Sequence, residues 1–323
     1  MRRHWADADR PGSTERSTRN ELMADIEITS LPEYLEKVFS NKGEEFHHEV
    51  ADLKTMYRGQ GNIEWGLLPA VFRTRDDFLN EHFYIREYER LLPKECTGKD
   101  SIEVLIDAQH YGIPTRLLDV TSNPLVALYF ACLEPEAKDV DPDGVVFQFA
   151  PAGVFMQYDL SCSVYAEYVR RYKDGIHFPD AWKRGLIESV QNSDSRFSFD
   201  APKAIGKMLS ENPLSFFVLP KYSNNRISAQ EGAFLLCATP FAEKPDSGYG
   251  KGVFLFPDEM KQDFKRMISH RYIIPAEFKE SILHQLSSVG INEAKLFPDI
   301  EHRVKSIVSA VRKEGRAGKN DEK

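Results

Sequence analysis

The chain of 323 residues has only four cysteines, Cys96, Cys132, Cys162 and Cys237. None stands at CxxC spacing, and Cys132 and Cys237 lie inside apolar runs. That excludes a disulfide scaffold and a cysteine-rich zinc module, and it points to buried free thiols in a reducing compartment. Long hydrophobic runs are missing as well. No stretch approaches the roughly 20 apolar residues of a membrane span, and the first residues lack the apolar core of a secretion signal. The expected setting is cytoplasmic, with no membrane partner. Excess positive charge is also lacking: 42 Lys and Arg against 50 Asp and Glu give a net charge of −8. Broad nucleic-acid binding is not expected from that balance, although a local basic groove is compatible with it. Several chemical signatures are absent too. There is no P-loop, no HExxH and no nucleophile elbow. The glycines of Gly248–Gly252 precede an apolar run, whereas a dinucleotide fingerprint follows a strand and opens a helix. His47 and His48 adjoin and make a poor pair of metal ligands, so no metal is expected.

What remains is a globular composition, 41% hydrophobic and 28% charged, enough for one large core or two ordinary ones. Residues 1–25 are polar and expected to be disordered, with organised sequence beginning just after Met23, a candidate start. Residues 26–312 carry no convincing linker and read as one domain. Residues 313–323 form a charged, flexible tail.

Apolar spacing predicts helices from Leu31, over Phe78–Leu92, Ser101–Tyr111, Ser161–Tyr172, Ala276–Val289 and Pro298–Val311. Ser30 to Glu33 reads as a capping box with Pro32 in the first turn. Short strands are expected to end at Gln60 and to cover Thr115–Val120, Gly144–Phe149, Phe216–Leu219, Ala233–Ala238, Val253–Phe256 and Tyr272–Ile274. Ser193–Glu211 has no clear period and reads as loop or short helix. Runs of helices and runs of strands, without regular alternation, indicate an α+β fold.

The polar chemistry concentrates in one stretch, Gln109 to Ala131. Gly112 and Pro114 break the chain before it. His110, Arg116, Asp119, Thr121, Ser122 and Asn123 then lie between two apolar elements. Asn123 is a favoured N-cap and Pro124 suits the first helical position. The following helix is apolar nearly all round, so it should be buried. A helix N-terminus at such a junction suits a phosphate or a carboxylate. The bland alternative is a capped turn that satisfies only its own backbone.

Two further places carry chemistry. Tyr57-Arg58-Gly59-Gln60-Gly61 ends a strand; Gly59 and Gly61 permit close approach of a ligand, and Arg58 suits bidentate anion binding. The structural alternative pairs Arg58 with Asp119 in a buried ion pair. In Asn225 to Phe234, Gln230 and Glu231 stand directly before an apolar strand, where a carboxylate is costly unless paired or used. An exposed turn is the commoner fate of a single Glu.

Together, Tyr57 to Gln60, Gln109 to Ala131 and Leu296-Phe297-Pro298-Asp299 resemble the FRG domain, a family of bacteria and phages named for its Phe/Tyr-Arg-Gly motif. The resemblance covers roughly Leu31 to Ile300. The order of motifs is also similar, more distantly, to ADP-ribosyltransferases of the arginine–serine–glutamate type. Tyr57-Arg58-Gly59 resembles their first motif. Thr121-Ser122 with Ala127, Phe130 and Ala131 resembles their Ser-Thr-Ser segment, and Gln230-Glu231 resembles their glutamate strand. Val120 stands where the first Ser would be, and Ala229 stands two before Glu231 in place of Glu or Gln.

The resemblance implies a split antiparallel β-sandwich with surrounding helices and NAD as substrate in its cleft. It implies Glu231 and Arg58 as catalytic groups, with Thr121 and Ser122 orienting them. His110 is added as a base or nicotinamide contact. Tyr57, Gly59, Gln60, Arg116, Asp119, Thr121, Ser122, Asn123 and Gln230 are the expected substrate-binding residues. Such an enzyme would cleave the nicotinamide–ribose bond and pass ADP-ribose to an unidentified macromolecular acceptor or to water, as a bacterial toxin or antiphage effector. Two other classes fit the same residues. One is a metal-dependent or acid/base phosphoesterase or nuclease using His110, Arg116 and Asp119. The other is a noncatalytic module that binds a nucleotide or a partner.

Overall fold

Pro124–Cys132 is apolar on every side, and the fold is built around it. The computed structural model describes residues 25–41, 55–133, 142–150, 154–156, 160–171, 215–222, 225–237 and 267–298. The expectations for residues 1–24 and 313–323, for Ser193–Glu211, for Val253–Phe256 and for a helix beyond Pro298 lie outside the described residues.

The strands are β1 (Ile26–Glu27), β2 (Tyr57–Gln60), β3 (Leu117–Thr121), β4 (Gly144–Phe149), β5 (Val154–Met156), β6 (Ser215–Leu219), β7 (Gly232–Cys237) and β8 (Ile268–Ile274). The helices are α1 (Leu31–Ser40), α2 (Arg75–Leu91), α3 (Pro93–Cys96), α4 (Ser101–His110), α5 (Pro124–Cys132), α6 (Leu160–Arg171), α7 (Asn225–Ala229), α8 (Ala276–Ser288) and α9 (Glu293–Leu296). The class is α+β, as expected. Local signals act largely as read. Asn123 caps α5 by accepting from the Leu125 N–H at 2.9 Å, and Pro124 opens the helix. At α1 the box is displaced by one residue. Ser30 accepts from Glu33 N–H, but Glu33 turns its carboxylate to Thr29, whose N–H and hydroxyl donate to it at 2.9 and 2.8 Å. Those two bonds hold Glu33 below the ordinary carboxylate range.

The described strands form one sheet in the order β1-β8-β4-β2-β3-β7-β6-β5. Interior pairings are antiparallel, whereas the edge pairs β1–β8 and β5–β6 are parallel. The centre of the sheet is weak. β2 pairs with β4 along its whole length, and β3 does so with β7, but β2 and β3 share only the pair Tyr57–Thr121. Four strand steps separate β4 from β6, about 19 Å across a flat sheet. Yet the rings of Phe149 on β4 and Phe217 on β6 lie 5.4 Å apart. The sheet is therefore folded at the β2/β3 line, and its halves face each other. Val145, Phe147 and Phe149 from one half meet Leu118, Val120, Leu235 and Phe217 from the other in a common core. Helices cover the outer faces: α1, α5 and α8 over β2, β4 and β8, and α4 and α6 over β3, β6 and β7. All four cysteines are buried.

Helix α5 approaches its half-sheet backbone to backbone. A Cβ on Gly59 would lie 1.8 Å from the Ala127 carbonyl oxygen, one on Gly61 2.2 Å from that of Leu133, and one on Gly144 2.0 Å from that of Ala131. The glycine of the Arg-Gly motif is thus spent on helix packing, not on ligand approach alone. Gly59→Ala is expected to destabilise the protein by about 3 kcal/mol or more. Gly66→Ala, where no atom lies within 4 Å, should stay within about 0.5 kcal/mol of wild type. Urea unfolding of both variants measures this, and equal midpoints would refute the packing role.

Arg116, expected at the substrate, is fully buried. Its Nε donates to Glu81 Oε1 at 2.8 Å and its Nη2 to Glu81 Oε2, with Glu81 equally buried on α2. Arg116→Met alone should cost about 3–5 kcal/mol by stranding the Glu81 charge. The double variant Arg116→Met with Glu81→Leu should recover most of that loss. Denaturant midpoints of the single and double variants measure the coupling, and additive losses would argue against it.

Candidate functional site

The site is assembled by one row of the sheet. Tyr57 pairs with Thr121, and Thr121 with Gly232. Residues far apart in sequence therefore converge, with Arg58 one step along β2, Ser122 and Asn123 just past β3, and Glu231 just before β7.

A cavity of about 910 Å³ opens at the split. It is lined by Tyr57 to Gln60 of β2 with Gly61 just past it, by Asp119 to Thr121 of β3, and by Gln109 and His110 at the end of α4. Val126 and Phe130 of α5 and Arg226 and Gln230 of the α7 region complete it. Of the expected residues, Tyr57, Arg58, Gly59, Gln60, His110, Asp119, Thr121 and Gln230 thus reach the cavity wall. Arg116 sits in the core. Ser122, Asn123 and Glu231 are not among the lining residues but adjoin it through Thr121 and Gln230.

Arg58 bridges the split. Its Nη1 donates to the main-chain carbonyl of Asp119 at 2.5 Å, so the guanidinium replaces the missing β2–β3 ladder. Burial lowers its affinity for a proton, Asp119 opposes that effect, and Arg73 adds to it. The Asp119 carboxylate accepts instead from Gln109 Nε2 at 3.0 Å. The buried ion pair of this region is therefore Arg116–Glu81, not Arg58–Asp119. Gln109 is itself fixed by the Thr115 hydroxyl, which donates to its Oε1 at 2.5 Å.

Three neighbouring residues carry buried polar atoms with no hydrogen-bond partner among the described residues: Tyr57 Oη, Arg58 Nε and Gln60 Oε1. Tyr57 and Gln60 are 1% and 4% exposed. Burial, with Tyr272 nearby, pushes the Tyr57 phenol up to about 12, so it is a neutral donor at physiological pH. The lining charges are Arg58, Arg73 and Arg226 against Asp119, a balance that favours an anion.

Glu231 is exposed and is held by its neighbours. Ser122 N–H donates to its carbonyl at 3.2 Å, and Asn123 Nδ2 donates to its Oε1 at 2.8 Å. The Thr121 hydroxyl donates to the Gln230 carbonyl at 2.7 Å, and Gln230 Nε2 to that of Leu296 at 3.0 Å. At φ 45° Glu231 is in the left-handed region, the one non-glycine residue there among the described residues. Strain of that kind persists where surrounding contacts impose it.

Sequence reading missed Trp65, Arg73 and Arg226 on the cavity wall and did not foresee what Phe297 does. Arg226 lies over the Phe297 ring at 4.9 Å, and Phe297 meets Phe130 at 6.0 Å. The Leu296-Phe297 motif thus buttresses the cavity from outside. The quoted motifs contained Arg226 and Phe297, but their meeting depends on long-range folding.

The FRG domain family matches residues 53–140. That span runs from the approach to β2 through α5 and includes the first two of the converging segments, while α7 and β7 lie beyond it. No curated protein and no solved structure matches the chain.

The strain at Glu231 is testable. Glu231→Gly and Glu231→Ala both remove the carboxylate, and only glycine relieves the backbone. The glycine variant should be about 1 kcal/mol more stable than the alanine variant. Thermal unfolding of the two reads the difference, and equal stabilities would mean that position 231 is not held in the left-handed region.

Proposed function

We propose that this chain, which carries an FRG domain over residues 53–140, is an NAD-using enzyme resembling the ADP-ribosyltransferases, cleaving the nicotinamide–ribose bond. The observation that carries the reading is the sheet row Tyr57–Thr121–Gly232. It gathers Arg58, the Thr121–Asn123 turn and Glu231 at one split in the sheet, beside a cavity large enough for a dinucleotide. The folded sheet with a single pair at its hinge supports the split-sandwich architecture that the resemblance implies. The excess of arginine on the cavity wall supports a phosphate-bearing ligand.

In this reading Arg58 and Arg226 face the pyrophosphate, and Trp65 and Phe130 offer ring faces to a base. The glycosidic bond to nicotinamide breaks with its electron pair leaving on the nicotinamide nitrogen. Positive charge develops on the ribose, as in glycoside hydrolysis. The fixed Glu231 carboxylate stabilises that charge and accepts from a ribose hydroxyl. His110, exposed at the end of α4, is placed to contact nicotinamide or the acceptor. The acceptor is water or an unidentified macromolecule, and the setting is the cytoplasm, as a toxin or antiphage effector. The phosphoesterase reading has less support, because it needs Arg116 beside His110 and Asp119, and Arg116 is engaged by Glu81 in the core.

Incubation of the purified protein with NAD, following free nicotinamide, tests the proposal. Wild type should release nicotinamide, and Glu231→Gln should lose at least about 100-fold in rate while unfolding at the same temperature. Saturable NAD binding without release would turn the reading to a nucleotide-binding module. The absence of both release and binding would overturn it.

A further inference from the structure

The side chain of Asn123 makes two contacts that pull in different directions of function. Its Oδ1 accepts from Leu125 N–H at 2.9 Å and so caps α5. That bond fixes which end of the amide is which, because a main-chain N–H must face oxygen. The Nδ2 end is thereby turned to Glu231, and it donates to Oε1 at 2.8 Å. Resting on the reading of Glu231 as the carboxylate that stabilises the ribosyl cation, we propose that Asn123 is the positioning residue that aims this carboxylate.

The division of contacts supports this role. The backbone around Glu231 is tied by other groups: Ser122 N–H to the Glu231 carbonyl, the Thr121 hydroxyl to the Gln230 carbonyl, and Gln230 Nε2 to Leu296. Among the hydrogen bonds of the described residues, Asn123 alone reaches the Glu231 carboxylate. An exposed glutamate has three side-chain torsions to lose, so one fixed donor decides where its oxygens spend their time. The resemblance implies that Thr121 and Ser122 orient Arg58 or Glu231. Here those residues hold the backbone of the Gln230–Glu231 turn, and the carboxylate is left to Asn123. Because α5 is pressed backbone to backbone on Gly59, Gly61 and Gly144, its N-cap is a rigid mount.

Three substitutions separate the cap from the aim. Ser and Asp are as good as Asn at an N-cap, and neither can donate from the position of Nδ2 to a carboxylate in the same way. Asn123→Ser should therefore keep the wild-type unfolding temperature, and Asn123→Asp should fall only slightly below it, by the repulsion of the two carboxylates. Their kcat for nicotinamide release from NAD should fall about 10- to 100-fold, the scale of a misplaced catalytic group, with KM for NAD unchanged within about twofold. Asn123→Asp should be the slower of the two, because it sets a second carboxylate against the first. Asn123→Ala loses both contacts and should fall in stability as well as in kcat. If Asn123 is only a cap, Asn123→Ser and Asn123→Asp will retain full kcat, and that result overturns the inference while leaving the enzyme reading intact. If wild type releases no nicotinamide, both fall together.

Discussion

Helix α5 lies on β2 and β4 where side chains would ordinarily keep the two apart. Gly59, Gly61 and Gly144 supply the only side chain that fits, a hydrogen atom, beneath the carbonyls of Ala127, Leu133 and Ala131. Contact at this range leaves almost no freedom to slide or tilt. Everything that depends on the N-terminus of α5 inherits that rigidity. Lys279 reinforces it from the far side. Its Nζ donates to the Gly61 carbonyl at 2.7 Å from a position 5% exposed on α8. The motif Arg58-Gly59 is thus one device: the glycine seats the helix, and the arginine just before it spans the split.

The split itself follows from strand chemistry. β3 and β7 exchange a full ladder over five pairs, and β2 and β4 one over four. Between β2 and β3 one pair remains, and the main-chain carbonyl of Asp119 is met by a guanidinium instead of an N–H. A sheet that gives up pairing at its centre must recover elsewhere. Here it does so by folding, so that Phe149 and Phe217 pack edge to face across the halves. The cleft is therefore a consequence of the core, not a gap left in it.

The local chemistry was readable from residue order alone. Asn123 as cap, Pro124 at the first helical position, the buried α5 and the buried cysteines all follow from side-chain type and spacing. The capping box at Ser30 was nearly so, with Glu33 choosing Thr29 over Ser30 because both donors of Thr29 face it. What sequence order hides is pairing. Glu81, 35 residues from Arg116, took the arginine assigned to substrate. Gly59 was read as space for a ligand, and its neighbour proved to be a helix backbone. The row Tyr57–Thr121–Gly232 depends on register, which periodicity cannot specify for strands of four to six residues. β8 was longer than its apolar run because polar residues extend it, Ser269 donating to the Gln148 carbonyl of β4 and Arg271 pairing with Asp25.

The polar atoms left without partners make the strongest case that the split is used. Each buried polar atom that forgoes a hydrogen bond costs about 1–3 kcal/mol. Tyr57 Oη, Arg58 Nε and Gln60 Oε1 incur that cost within four consecutive residues of one short strand. Packing alone does not require it, since phenylalanine at 57 and leucine at 60 would fill the same space without a polar atom to satisfy. Nor does the hinge require it, because Arg58 already bridges to Asp119 through Nη1. Arg58 and Gln60, which share the inner face of β2, leave a donor and an acceptor unsatisfied beside two further arginines, whereas Tyr57 turns to the α5 face and joins the core with Tyr272. The nucleotide ligand proposed above would bring an acceptor to Arg58 and a donor to Gln60, partners that packing alone does not supply.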